Sequence, residues 1–348
     1  LAEPLALLGG LDTDYQTPTS GGIAKARARL GEAPVREVFE QVAVPVAEPD
    51  TPGAFMAGRW RVLAADGTVF DVPDSEENRA AFATPSGGAF PQVRAVLLTE
   101  CGSRATLDAR LAPCSGKGTG ERTALRAMAG TVQALAEDQD VLLTCDQGLY
   151  SFKLWCRYQD TGAGLLWRMA DGVEIAHVAD LPDGSYTALV FDKGAERNRR
   201  DALIAAARAG GDLPREGCRP VRVVEYYVEE RGPAPHQREL FCLITNLLDP
   251  GEATAAELGA AYHLRWTGSE GANNEIKNGL RGPGGVLRSH SPQLVRAEIY
   301  GYLLAHYAIC ALICAAVTEH NLDPGRVKFT KAVRLVRARV ADPRAFSP

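Results

Sequence analysis

Apolar and polar positions along the chain change their period several times, and each change marks a different kind of element. Residues 20–43 repeat their apolar positions at helical spacing, interrupted at Gly31 and Pro34, which predicts a small helical module. Pro45, Pro49 and Pro52 then predict a linker. Residues 60–65 (WRVLAA) form a short apolar run, a buried strand expected to end at Asp66-Gly67, and 69–72 continue extended up to Pro73. Residues 92–99 and 105–111 predict two strands of a hairpin turning at 100–103. A helix over 122–135, an apolar strand over 140–144 ending at Asp146, and a helix from 149 to 158 follow.

This sequence of strand, hairpin, helix, strand and helix predicts a mixed sheet with helices packed against it. Beyond residue 163 the pattern turns strand-rich. Runs at 164–169, 174–178, 186–191, 221–229 and 239–245 are separated by Gly, Pro and Asp turns, as in an inserted block of about 90 residues. After Pro250 helices dominate, over 254–280, 292–319 and 330–340. The uncharged run 299–317 has membrane-spanning length, but its His306, Tyr300, Tyr302 and Tyr307 suit a helix buried in a large core.

Composition adds a frame. With 348 residues, 46% apolar and 23% charged, the chain has the makings of about two globular domains. The net charge of −5 is unevenly spread. Residues 261–348 hold twelve Lys and Arg against six Asp and Glu, a net of +6, which leaves −11 on residues 1–260. A basic C-terminal third is compatible with phosphate contact. Eight cysteines without a CxxC pair read as reduced, mostly buried thiols of a cytoplasmic protein rather than a zinc set.

Candidate chemistry concentrates in 262–277 (YHLRWTGSEGANNEIK). Seven residues advance a helix by about 700°, so Glu270 and Lys277 share a face, and Tyr262 and Arg265 form a second pair three apart. A carboxylate beside Arg, Tyr and Lys suits chemistry on a polyanion. Asp66 and Asp146 supply two further carboxylates where strands of one sheet converge. Three carboxylates offer the hard oxygen ligands that Mg²⁺ prefers, and two such ions can work on a phosphodiester.

Taken in order, ADGTVFDVPDS around Asp66, AFPQVRAVLLTECGS (89–103), CDQGLYSFKLW around Asp146, the 262–277 segment and LRSHSPQLVRAEIYGYLLAHYA (287–308) resemble bacterial insertion-sequence DDE transposases. The resemblance is to the insertion-element-four type, with its Tyr-Arg-Glu-Lys motif, from about residue 18 to near the C-terminus. It implies an α/β fold: a ribonuclease-H-like mixed sheet flanked by helices, interrupted by a β-rich insertion between the second Asp and the Glu. The corresponding segments are 1–52, a remnant of a helical N-terminal domain and a linker; 53–160, the first part of the catalytic core; 161–252, the insertion; and 253–348, the second part of the core with C-terminal helices. The N-terminal domain is expected to be shortened.

The resemblance further implies that Asp66, Asp146 and Glu270 are the catalytic, metal-binding triad for two Mg²⁺, with Mn²⁺ as a substitute. Tyr262, Arg265 and Lys277 are the implied DNA contacts. The partners would be double-stranded DNA, both element ends and target, with a homodimer acting on it and no membrane involved. The implied activity is cutting and joining of element ends by hydrolysis and strand transfer. Alternatives are a catalytically inactive DNA-binding relic and a resolvase-like or repair nuclease of the same fold.

Two departures stand out. The family places three residues between the Arg and the Glu, whereas here there are four: Trp266, Thr267, Gly268 and Ser269. On a regular helix Ser269 would occupy the carboxylate's place, unless a π-bulge or a break absorbs the extra residue. Glu275 lies about 140° from Glu270 on such a helix and is expected to face elsewhere. Gln147 stands where the family often has a basic residue. His236 and His290 read as surface histidines, and Trp155 and Trp167 as core residues.

Overall fold

A computed structural model describes residues 18–170, 172–229, 238–282 and 285–339. Its centre is β2 (Trp60–Asp71), joined at its start by the short β1 (Phe55–Met56). On one side β3 (Gln92–Glu100) and β4 (Thr106–Pro113) form the expected hairpin, antiparallel to β2 and to each other. On the other side β5 (Val141–Cys145) runs parallel to β2, and β6 (Gly164–Arg168) runs parallel to β5. The order β4-β3-β2-β5-β6, three antiparallel strands followed by two parallel ones, is the ribonuclease-H-like arrangement.

The sheet does not stop there. β10 (Arg238–Thr245) pairs antiparallel with β6, and β9 (Cys218–Glu229), β8 (Tyr186–Phe191) and β7 (Ile175–Asp180) extend it as a meander. The strand-rich stretch between Asp146 and Glu270 therefore lengthens the central sheet instead of folding apart from it. Its first strand, β6, is tied by its parallel pairing to the preceding β5.

Two helical layers cover the sheet, and the period of two along β2 assigns each residue to one of them. Leu63 and Ala65 face a core closed by α4 (Glu121–Ala127), α5 (Ala129–Asp138) and α6 (Phe152–Gln159), through Leu125, Met128, Val132, Trp155 and Tyr158. Val62 and Ala64 face the opposite core, closed by Leu258, Ala261 and Tyr262 of α8 (Ala255–Arg265). Phe70, on that second face, meets Ile276, Val295 and Ile299. Trp155 and Trp167 are fully buried, edge to face, as core residues.

Helix α10 (Pro292–Thr318) is the one described helix long and apolar enough to cross a membrane. Here it serves both cores, with Val295, Ile299 and Leu303 in one and Ile309, Cys310 and Ile313 in the other. Against it lies α2 (Ala33–Val42), whose Phe39 ring sits 5.7 Å from Tyr300; α1 (Ser20–Leu30) precedes it, and Gly31 at φ 72° makes the break between them. The last described element is α11 (Phe329–Arg339).

Three expectations need correction. β2 does not end at Asp66-Gly67; it runs on to Asp71 because β3 pairs with it along its whole length. The helix expected over 122–135 is two, α4 and α5, meeting at Met128. An unexpected helix, α7 (Arg197–Arg208), lies on β7; its apolar run 202–207 is only partly buried there, and no residue of it is fully buried.

Candidate active site

The parallel register of β2 and β5 ends at Ala65 opposite Cys145, so Asp66 and Asp146 are the next residues on neighbouring strands. By the period of two they share the face of Val62, Ala64 and Leu142, the face that α8 covers. Each carboxylate is held by a residue of the covering helix. Tyr262 Oη donates to Asp146 Oδ1 at 3.4 Å, and Asn273 Nδ2 donates to Asp66 Oδ2 at 3.2 Å. The Gly67 N–H also donates to Asp66 Oδ1, at 2.9 Å.

The covering helix is not regular. After α8 the chain continues without a break through a π-helical turn, Trp266–Glu270, then the short α9 (Gly271–Asn274) and a second π segment, Glu275–Leu280. A π turn closes on the fifth residue instead of the fourth, so the first one absorbs the extra residue of the signature. The consequence is measurable: Arg265 and Glu270, five apart, touch at 3.2 Å. Ser269 is turned inward, buried, with its hydroxyl donating to the Arg265 carbonyl at 3.0 Å. The carboxylate that faces the guanidinium is thus Glu270.

Gly268 anchors this turn. A Cβ built there would sit 2.7 Å from Cys101 Cα and 2.8 Å from its sulfur, so only glycine lets the π turn rest on the end of β3. Two turns further on, Lys277 reaches over the Phe70 ring at 5.8 Å.

The electrostatics bind these groups together. Burial lifts the Asp66 carboxyl from the ordinary 3.8 to about 6; Arg265 and the Gly67 N–H oppose this, while Glu270 and Asp146 add to it. Burial also raises Tyr262, against Arg265. Burial works against the Arg265 charge, but Tyr262, Asp146, Asp66 and Glu270 carry its pKa upward nonetheless. Lys277 is lowered by burial and by Arg281, with Asp71 and Asp66 pulling the other way.

Arg265 is 4% exposed and its Nε, buried, has no hydrogen-bond partner. Glu270 is about half exposed. Asp66, Asp146, Tyr262, Arg265 and Glu270 are therefore brought into one neighbourhood, with Lys277 at its edge. Asn273 joins them without having been foreseen; its place three residues after Glu270, on the same helix face, was the available signal.

The three carboxylates do not all lie within 4.8 Å of one another. Among the described residues, the only trio of metal-capable donors lying within 4.8 Å of one another is Glu275, His306 and Cys310. That cluster does not suit a cation. Arg104 already occupies Glu275 at 3.1 Å, His306 Nε2 lies 3.0 Å from the other oxygen, and burial pushes the Cys310 thiol well above its usual pKa, so it stays protonated. Glu275 faces away from Glu270, as its helical angle required. It ties the signature helix to α10 and to the β3–β4 turn. His290 is exposed; its carbonyl accepts from Ser75 Oγ, and His236 lies outside the described residues.

No protein-family model matches the chain. It is 26% identical over 340 residues to the transposase InsG for insertion sequence element IS4 of Escherichia coli strain K12, covering 94% of this chain and 68% of the relative. Among solved structures it is similar to a piggyBac transposase synaptic complex with hairpin DNA, at 13% identity and a TM-score of 0.43. That match covers 95% of this chain but 62% of the other, so the chain spans less than two thirds of that neighbour. The similarity in sequence agrees with what the motifs suggested: over nearly its whole length the chain is similar to a bacterial insertion-sequence transposase of the insertion-element-four type.

Proposed function

We propose that the chain is a DDE transposase that cuts and joins the ends of its own insertion sequence, acting on double-stranded DNA as a homodimer so that two ends can be served. The observation carrying this reading is the pairing of Asp66 and Asp146 on adjacent parallel strands beneath the turn that aims Glu270 at Arg265. Asp66, Asp146 and Glu270 would hold two Mg²⁺, or Mn²⁺ in their place. The donor set fits: all are hard oxygens, and Asp66 is a buried carboxyl lifted to about 6, a group short of positive charge. Two ions about 4 Å apart suit carboxylates spread more widely than a single-ion site. When bound, such ions activate a water or a 3′-hydroxyl and stabilise the departing oxygen of a phosphodiester.

The side chains then have distinct tasks. Tyr262 orients the Asp146 carboxylate and Asn273 that of Asp66. The Arg265 guanidinium, charged at any working pH and held against Glu270, supplies fixed positive charge beside the carboxylates for a non-bridging phosphate oxygen. Lys277 adds a point charge further along the strand. These groups position and neutralise DNA without forming a covalent bond to it.

The inactive-relic alternative gains nothing from the extra residue in the signature, since the π turn accommodates it. Incubating the full chain with labelled duplex carrying the element's ends and Mg²⁺ tests the proposal. Nicking at the end is expected, with Asp146→Ala slower by at least about 100-fold. Binding without nicking in either Mg²⁺ or Mn²⁺ would favour the relic.

A further inference from the structure

A second concavity opens on the face of the sheet that α4 and α6 cover, opposite the face of the carboxylates, and the chemistry above leaves it without a task. It is a cleft of about 620 Å³ between α4, the loop that follows Asp146, the start of α6 and the β7–β8 part of the added sheet. Gln147, the residue after Asp146, lines it and is its one link to the site, since none of Asp66, Asp146 and Glu270 does.

Among the described residues that line it, five are cations and two are carboxylates; Asp171, between the lining Ala170 and Gly172, lies outside the described residues. Two of the cations are committed. Arg122 Nε donates to the Gly148 carbonyl at 2.9 Å, and Arg200 binds Glu174 and lies 4.9 Å over the Phe191 ring. Both carboxylates are committed too, since Asp192 Oδ1 accepts the Lys193 N–H at 2.8 Å. The remaining three cations, Arg126, Lys153 and Lys193, are exposed, and among the described residues none forms an ion pair. Three uncompensated cations gathered in one cleft of a chain with net charge −5 form a local anion-binding field.

Size and wall narrow the ligand. The cleft has the volume of a small-molecule site, far too small for a duplex but enough for a stretch of one strand. Phe152, partly exposed, lines the same wall, whereas Tyr150 behind it belongs to the core, and a basic groove with an aromatic face is the chemistry that holds single strands. We propose that this cleft binds a single-stranded segment of DNA leading away from the reacting phosphodiester, its phosphates on Arg126, Lys153 and Lys193. The cations there supply what Gln147 does not. The inference rests on the DNA-cutting reading, to whose site Gln147 is the link.

Equilibrium binding of the full chain, in EDTA, to an oligothymidine of about 15 nucleotides and to a duplex of equal length tests it. Affinity is followed against salt for the unaltered chain and for the triple variant Arg126→Gln, Lys153→Gln, Lys193→Gln. An equal-charge control carries Lys25→Gln, Arg157→Gln and Arg215→Gln, all exposed and outside the cleft. The cleft variant should flatten the single-strand salt slope by about 2, each lost phosphate contact contributing about 0.7, while the control keeps the slope. Equal slopes for cleft variant and control on the single strand would overturn the proposal while leaving the nuclease reading in place. An equal flattening on the duplex would overturn the single-strand assignment. Failure of the unaltered chain to bind either probe would instead remove the DNA-processing reading itself, and this inference with it.

Discussion

Among single residues, Asp66 makes the most testable chemical statement. Its side chain is buried beside two other carboxylates, and its pKa in the folded protein, about 6, lies above the ordinary 3.8. A raised folded-state value means that folding favours the protonated form. The associated stability is therefore complete below about pH 4 and is lost as pH rises through about 6. Two pH units correspond to at most about 3 kcal/mol. In urea unfolding with EDTA, the unaltered chain should lose up to that amount between pH 4 and 7 relative to Asp66→Asn, which cannot ionise there. Parallel pH curves for the two proteins would show that burial does not strain this carboxyl. The residue was legible as a candidate from its motif. Its place inside a twelve-residue strand was not, because the β3 pairing that prolongs β2 is a contact between distant segments.

At the level of elements, the signature helix shows both the reach and the limit of pattern reading. The spacing of Arg265 and Glu270 exposed the conflict and named a π-bulge as one answer, but a π turn and a break have the same sequence. What selects the π turn is tertiary: Gly268 pressed on Cys101, and Ser269 turned inward onto the Arg265 carbonyl. Deleting Thr267, which is exposed and bonded only to the Leu264 carbonyl, should let the helix close as an ordinary α-helix, with Arg265 and Glu270 four apart. Its melting temperature should stay within about 3 °C, and Mg²⁺-dependent nicking should persist. A loss of nicking beyond tenfold with an intact fold would show that the π turn does more than absorb a residue. Strands with apolar runs, β5 and β6 among them, were readable in advance, whereas α7 was missed: its apolar residues are one short block after a charged first half.

For the whole molecule, element order pointed to a mixed sheet flanked by helices and the charge distribution to a basic C-terminal third, yet the ties that hold its parts together span long stretches of chain. Arg104 meets Glu275 from 171 residues away, and His306 of α10 takes the other oxygen of the same carboxylate. A buried pair of this kind fixes how the signature helix sits on the sheet, and no local pattern announces it. That seating decides whether Glu270 stands with Asp66 and Asp146, on which the account depends. The most direct test is anomalous diffraction from crystals of the chain soaked in Mn²⁺. Two manganese peaks about 4 Å apart, bounded by Asp66, Asp146 and Glu270, are expected. Peaks elsewhere, or a Glu270 carboxylate turned from the two aspartates with manganese present, would contradict that expectation.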